Sequence, residues 1–205
     1  MKLVVGLGNP GPRYADTRHN VGVRVIERFA RDHGLSLDVR RFDSRFAAGA
    51  VTLGVARSEV ALLVPETFMN RSGGPVAEAV AELAIEDVAR DLLVVFDDVD
   101  LPFGRLRLRP SGSAGGHRGL GDIIERLARN DFARVRFGVG RPATEQDTAD
   151  YVLEPFTDAE CERLPERIER AARAVEAALA SGVTAAMNEF NRDPDATEPS
   201  AEPRP

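Results

Sequence analysis

Apolar residues come as short runs over the first two thirds of the chain and at helical spacing over the last third. Lys2 to Leu7 is a β-branched apolar run ended by glycines, which predicts a buried strand. Gly8 to Arg18 reads as a loop, because Pro10 and Pro12 lack donors and restrict the residues before them. From about Asn20, Val21, Val25, Phe29 and Ala30 share a helical face, with Gly34 as the stop. Phe46 to Leu53 and Val60 to Pro65 read as two strands joined through Gly54 to Ser58. Gly74 to Ala84 predicts a helix with Val76, Val80 and Leu83 inward. Leu92 to Asp97 is the most apolar strand, while Leu106 and Leu108 alternate with arginines on a half-exposed one. A helix over Gly119 to Ala128 and a strand over Val135 to Val139 follow. A long helix over Asp158 to Ser181 is stopped by Gly182, and a short one covers Thr184 to Asn191.

Strands interleaved with helices, without repeats, predict an α/β fold: one domain with a mixed, mostly parallel sheet flanked by helices on both faces. The short strands near residues 46–65 suggest some antiparallel pairing. The folded domain is expected over 1–192. Asp193 to Pro205 holds four prolines and four acids with no apolar period, and is expected to be a disordered tail.

Composition narrows the classes. Hydrophobic residues at 43% and charged residues at 29% of 205 suit a chain that buries a core. The longest apolar runs are far too short to cross a bilayer, and no secretory h-region opens the chain, so a cytoplasmic protein is expected. Cys161 is the single cysteine, which excludes an internal disulfide and a multi-thiolate zinc site. His19, His33 and His117 include no H-E-x-x-H pair. Lys2 is the only lysine, so a P-loop or Schiff-base lysine has no other candidate.

The net charge of −6 hides a segregation. Gly104 to Arg141 carries nine arginines against Asp122, Glu125 and Asp131, whereas the remainder is strongly acidic. An acidic body with one basic region suits a surface aimed at phosphates. Arg126 and Arg129 are expected on solvated helix faces.

Gly6-Leu7-Gly8-Asn9-Pro10-Gly11 matches the dinucleotide-binding pattern G-x-G-x-x-G after a strand. The helix, however, should begin inside that motif so that its amides face a pyrophosphate, and Pro10 and Pro12 interrupt it. A nucleotide-dependent oxidoreductase thus rests on this pattern alone. A stronger constellation lies where strands end: Asn9, Tyr14 and His19 after the first; Phe68, Met69 and Asn70 after the Val60 strand; Asp97, Asp98 and Asp100 after the Leu92 strand. Open α/β sheets collect ligands at the carboxyl ends of strands. An imidazole oriented by a carboxylate can take a proton from water, and carboxamides can hold a carbonyl or an oxyanion. Each piece also has a plain structural use: Asn9 in a turn, Asn20 as a helix cap, Phe68 and Met69 in the core, and the three aspartates as a solvated turn or a Mg²⁺ cluster.

Five blocks in order carry a resemblance. Gly6 to Gly11 with Tyr14, Thr17 to Asn20 and Gly22 is similar to the opening signature of bacterial-type peptidyl-tRNA hydrolases. Phe68-Met69-Asn70 with Ser72-Gly73 resembles the second motif, and Asp97 to Pro102 with Gly104 the third. Gly115-Gly116-His117 with Gly119-Leu120, then Arg134, Arg136, Gly138, Gly140 and Arg141-Pro142, complete the set. The resemblance implies hydrolysis of the ester joining a peptide to the 3′-terminal ribose of tRNA, by a monomer without metal or cofactor. It implies His19 as general base, Asp97 as its orienting partner and Asn9 in selecting N-blocked substrates. Asn70, Tyr14, Phe68 and Met69 would line the site, His117 and Arg118 would belong to the substrate-binding set, and Arg109 and Arg136 would clamp a tRNA phosphate. One position departs: the family usually has Asn where this chain has Arg118. A non-catalytic RNA-binding relative is the alternative, although gripping phosphates requires none of Asn9, His19, Asn70 or Asp97.

Overall fold

The computed structural model describes residues 1–142, 146–193 and Asp195. Its centre is a seven-stranded sheet of β1 (Lys2–Gly6), β2 (Val39–Arg41), β3 (Ser44–Leu53), β4 (Ala56–Pro65), β5 (Leu92–Asp98), β6 (Leu106–Arg109) and β7 (Ala133–Gly138). The strands lie in the order β2-β3-β4-β1-β5-β7-β6. The four central strands are parallel, and antiparallel β2-β3 and β6 form the two edges. The sequence expectation of a mixed, mostly parallel sheet holds.

Alternation along each central strand splits the core into two layers. Val4, Leu62, Val95 and Phe137 face α1 (Val21–Asp32), the 24-residue α6 (Asp158–Ser181) and α7 (Val183–Phe190). Leu3, Val5, Leu63 and Val94 face α2 (Gly73–Glu82) and α4 (Arg118–Leu127). Burial on both faces explains why these strands read as continuous apolar runs. Among the described residues, no helix is long and apolar enough to cross a membrane.

Three short elements escaped the sequence reading: β2, α3 (Val88–Asp91) and α5 (Thr148–Tyr151). None is long enough to show a period. β4 also begins at Ala56 rather than Val60, so the hairpin turns through Gly54 and Val55, with Gly54 at φ +61°. Arg57, Ser58 and Glu59 lie beyond the core, and their polarity concealed strand pairing. Of the expected tail, Asp193 and Asp195 are ion-paired to arginines; Pro194 and residues 196–205 lie outside the described residues.

The glycine-rich opening serves packing. A Cβ on Gly22 would lie 2.4 Å from the Val95 carbonyl oxygen, and one on Gly6 would lie 2.6 Å from the Gly22 carbonyl oxygen. These glycines let α1 cross β1 and β5 at backbone contact. Since α1 starts only at Val21, no helical amides face the loop of the G-x-G-x-x-G pattern.

Candidate active site

The carboxyl ends of β1, β4 and β5 and the N-terminus of α4 converge at one end of the sheet. The loop after β1 returns through a 3₁₀ turn, Arg18–Asn20, that carries His19. β5 ends on Asp97 and Asp98. His117 is the N-cap residue of α4, and its Nδ1 accepts the Leu120 amide at 3.1 Å.

These three elements bring His19, Asp97 and His117 together. Asp97 Oδ1 lies 2.7 Å from His19 Nδ1 and 3.1 Å from His117 Nε2. Partner chemistry assigns the protons. His117 Nδ1 accepts from a backbone N–H, so its Nε2 carries hydrogen and donates to Asp97. A carboxylate only accepts, so His19 Nδ1 is also the protonated nitrogen, and the lone pair of His19 is on Nε2. Burial of Asp97 opposes ionisation, but the two imidazoles and their hydrogen bonds outweigh it and hold the carboxyl well below the usual range. Asp97 is therefore a fixed anion. The same three side chains offer ligand atoms within 4.8 Å of one another. A metal could enter only by displacing the hydrogen bonds that orient them.

The other aspartates disperse. Asp98 accepts from Arg136 and from the Asp100 amide, and Asp100 pairs with Arg141. Each is matched by its own cation, so the expected alternative of a three-carboxylate Mg²⁺ cluster is not formed.

Asn9 belongs to the site by its own bonds. Its Oδ1 accepts the Met69 amide at 2.8 Å, tying the β1 loop to the β4 loop. That fixes the amide orientation and leaves Nδ2 as a free donor among the described residues. Asn20, one candidate for a helix cap, makes no capping bond. Its side chain instead accepts from the Asn9 amide and donates to the Asn9 carbonyl. Asn70 is exposed on the turn Met69–Arg71, Tyr14 is half-buried, and Phe68 is 57% exposed. Met69 is buried in the core beneath Gly119, so among these residues it packs from below.

Residues to which the sequence reading gave no role hold His19 in place. The His19 amide donates to Val152 O, and the Arg18 amide to Glu154 O. The buried Arg18 side chain stacks on Tyr151 at 4.1 Å and pairs with Glu160 at 3.0 Å. Glu160 also completes the capping box of α6 with Thr157. Arg18 thus links the turn that carries His19 to the start of α6. An arginine directly before the histidine was the only signal available, since its partners lie more than 130 residues away.

The basic segment is less uniform than its composition. Arg105, Arg126, Arg129, Arg136 and Arg141 each face a carboxylate. Arg134 is buried, donating to the carbonyls of Gly112, Ser113 and Asn130; burial, with the Arg136 charge, lowers it to about 10, so it stays charged at neutral pH. Arg107, Arg109 and Arg118 make no ion pair among the described residues. Arg107 and Arg109 lie opposite Arg136 and Arg134 on neighbouring strands, so all four share one face of the sheet.

The chain is similar to known proteins over nearly its whole length. The family model described as peptidyl-tRNA hydrolase matches residues 3–199. A peptidyl-tRNA hydrolase of Chloroflexus aggregans is 49% identical over 191 residues, covering 93% of this chain and 99% of its own length. One from Symbiobacterium thermophilum is 46% identical, covering 93% of this chain and 98% of its own. The crystal structure of peptidyl-tRNA hydrolase from Acinetobacter baumannii superposes with a TM-score of 0.83 at 34% identity, covering 93% of this chain and 94% of that one. On motif, fold and identity across nearly its whole length, the chain belongs to the peptidyl-tRNA hydrolase family.

Proposed function

We propose that this protein hydrolyses the ester between a peptide and the 3′-terminal ribose of tRNA. The observation that carries the mechanism is the 2.7 Å bond from His19 Nδ1 to Asp97, which leaves the unprotonated Nε2 as the base. Nε2 takes a proton from water as the water oxygen attacks the ester carbonyl carbon. The carbonyl becomes a tetrahedral oxyanion, for which Asn9 Nδ2 and the exposed Asn70 carboxamide are the candidate donors. Collapse breaks the bond to the ribose oxygen, and the His19 imidazolium returns its proton to that oxygen. Asp97 stabilises the imidazolium throughout, and His117 restrains Asp97.

Asn9 is assigned to reading the blocked amino end of the substrate, Tyr14 and Phe68 to the terminal adenosine and peptide, and Met69 to support beneath them. Arg118 and Arg109 are assigned to phosphates. Arg136, matched by Asp98, would have to exchange that partner for a phosphate. The proposed constellation is complete within one chain, so a monomer would suffice for it, and a tRNA substrate is the support for a cytoplasmic location. The test is release of free peptide from N-blocked aminoacyl-tRNA by purified protein. No release above the His19→Ala background would overturn the reading in favour of a non-catalytic RNA-binding relative.

A further inference from the structure

The last described residues lie along the arginine-bearing edge of the sheet. β6 is an edge strand, and its free backbone is met by a side chain: Asn191 Oδ1 accepts the Leu108 amide at 2.6 Å, and Asn191 Nδ2 donates to the Leu108 carbonyl at 3.3 Å. Two residues on, Asp193 accepts from Arg105, just before β6, at 3.0 Å. Two further on, Asp195 accepts from Arg163 at 2.9 Å and from Arg167 at 2.5 Å, both on α6.

Arg167 makes this more than a set of surface pairs. Its side chain is 4% exposed, while that of Asp195, its one carboxylate partner among the described residues, is 55% exposed. Arg167 Nε is buried without a hydrogen-bond partner among the described residues. Gly104, at φ +74°, lies against the aliphatic part of Arg167, where a Cβ would come within 2.7 Å. A buried guanidinium needs an anion, and here the anion is held from the solvent side by a short segment that solvent can reach. Such a site is built to be filled, and its present occupant is displaceable.

We infer that Arg105, Arg163 and Arg167 form a second anion site, held by Asp193 and Asp195 in the free protein and taken by a backbone phosphate of the tRNA when substrate binds. The site lies beside Gly104 at the start of the edge strand β6, on the α6 side of the sheet, while Arg107 and Arg109, without an ion pair among the described residues, project from the other face of the same strand, so a nucleic acid that wraps this edge meets both. A phosphodiester offers the same paired acceptors to a guanidinium as a carboxylate does. The acidic segment then acts as an internal competitor for the tRNA body and leaves the chemistry at His19 untouched. The inference rests on tRNA being the substrate.

The test uses the full chain with Asp193→Asn/Asp195→Asn. Asparagine can still accept from the arginines, so the fold is retained while the competing charge is lost. Deacylated tRNA, which cannot be hydrolysed, is titrated across a salt series. The expected result is a Kd lowered about three- to tenfold, as when a site about 70–90% occupied is freed. The log–log salt slope should steepen by about 0.7–0.9 per phosphate gained. Arg163→Gln should erase that gain in the Asn/Asn background and change little in the original chain. Glu59→Gln/Glu78→Gln, with the same change in net charge at exposed positions outside the cluster, should not reproduce it. Cleavage of a substrate reduced to the terminal peptidyl-adenosine should be unaltered by the Asn/Asn change; loss of that cleavage in the unmodified protein would instead refute the proposed function. An unchanged or weaker Kd, an equal gain from the control pair, or thermal protection by inorganic phosphate without any gain in tRNA affinity would each overturn the inference.

Discussion

His19 has one nitrogen committed to Asp97 and one left open, the division that the proposed general-base role requires. His19→Ala should lower kcat by about 10²–10⁴-fold with the fold intact, since general base catalysis contributes that much. Single-turnover hydrolysis with a thermal melt checks both parts. Asp97 is expected to behave differently from an ordinary surface acid. Its pKa is depressed in the folded protein, so the stability it contributes is complete above the unfolded value of about 3.9. That stability is lost as pH falls through the lower folded value. The stability gap between the protein and Asp97→Asn should therefore not close between pH 7 and 5, and should shrink below about pH 4. A gap that closed between pH 7 and 5 would mean that Asp97 titrates there. Arg118 has no carboxylate partner among the described residues, so Arg118→Asn should preserve turnover on a minimal substrate. It should also weaken tRNA binding and reduce the salt slope by about one; parallel salt lines would refute the phosphate role.

At the scale of elements, the catalytic turn is held from two sides. From the sheet side, Gly22 sits where a methyl group would meet the Val95 carbonyl and the backbone of Leu7. Gly22→Ala should push α1 off the sheet, with a cost of about 1–3 kcal/mol from overpacking. Because α1 begins immediately after His19, the change should reduce kcat as well as Tm. From the other side, Arg18 ties the turn to Tyr151 and Glu160. Arg18→Ala should lower kcat by about 10- to 100-fold through misplacement of the imidazole while leaving KM for full-length tRNA nearly constant. Arg18→Lys, which restores the charge without the stack, should recover part of the loss. A purely structural role would lower Tm in both variants without separating kcat from KM.

Over the whole molecule, the proposed phosphate-binding face has to work against a net charge of −6. Pairing removes most of the arginines from contention, and Arg107 and Arg109 remain on one sheet face. Arg109→Glu should raise KM for full-length tRNA and have little effect on a peptidyl-adenosine substrate that cannot reach β6. Arg136→Glu is the poorer probe, because it would set a second carboxylate against Asp98, one residue from Asp97. Equal penalties on long and short substrates would assign Arg109 to folding rather than to tRNA.

Much of this was legible in one dimension. Runs such as Leu92 to Asp97, buried on both faces, had to be central strands, and α6 ended at Gly182 as its spacing predicted. Loops that follow strands in an open α/β sheet share one end, so His19, Asp97 and Asn9 could be grouped from order alone. Other features depended on partners far along the chain. His117 could be placed near the substrate, but its bond to Asp97 exists only because α4 starts over the end of β5. The same holds for Asn20, whose side chain serves Asn9 instead of its own helix, and for Arg18, whose partners come from the start of α6. Composition counted nine arginines in the basic segment; folding decided which were neutralised, which was buried and which were left to meet a ligand. Local pattern determines elements because backbone geometry and apolar periodicity act within a few residues. Charge pairing and the orientation of an imidazole are properties of distance in space, which the folded packing sets.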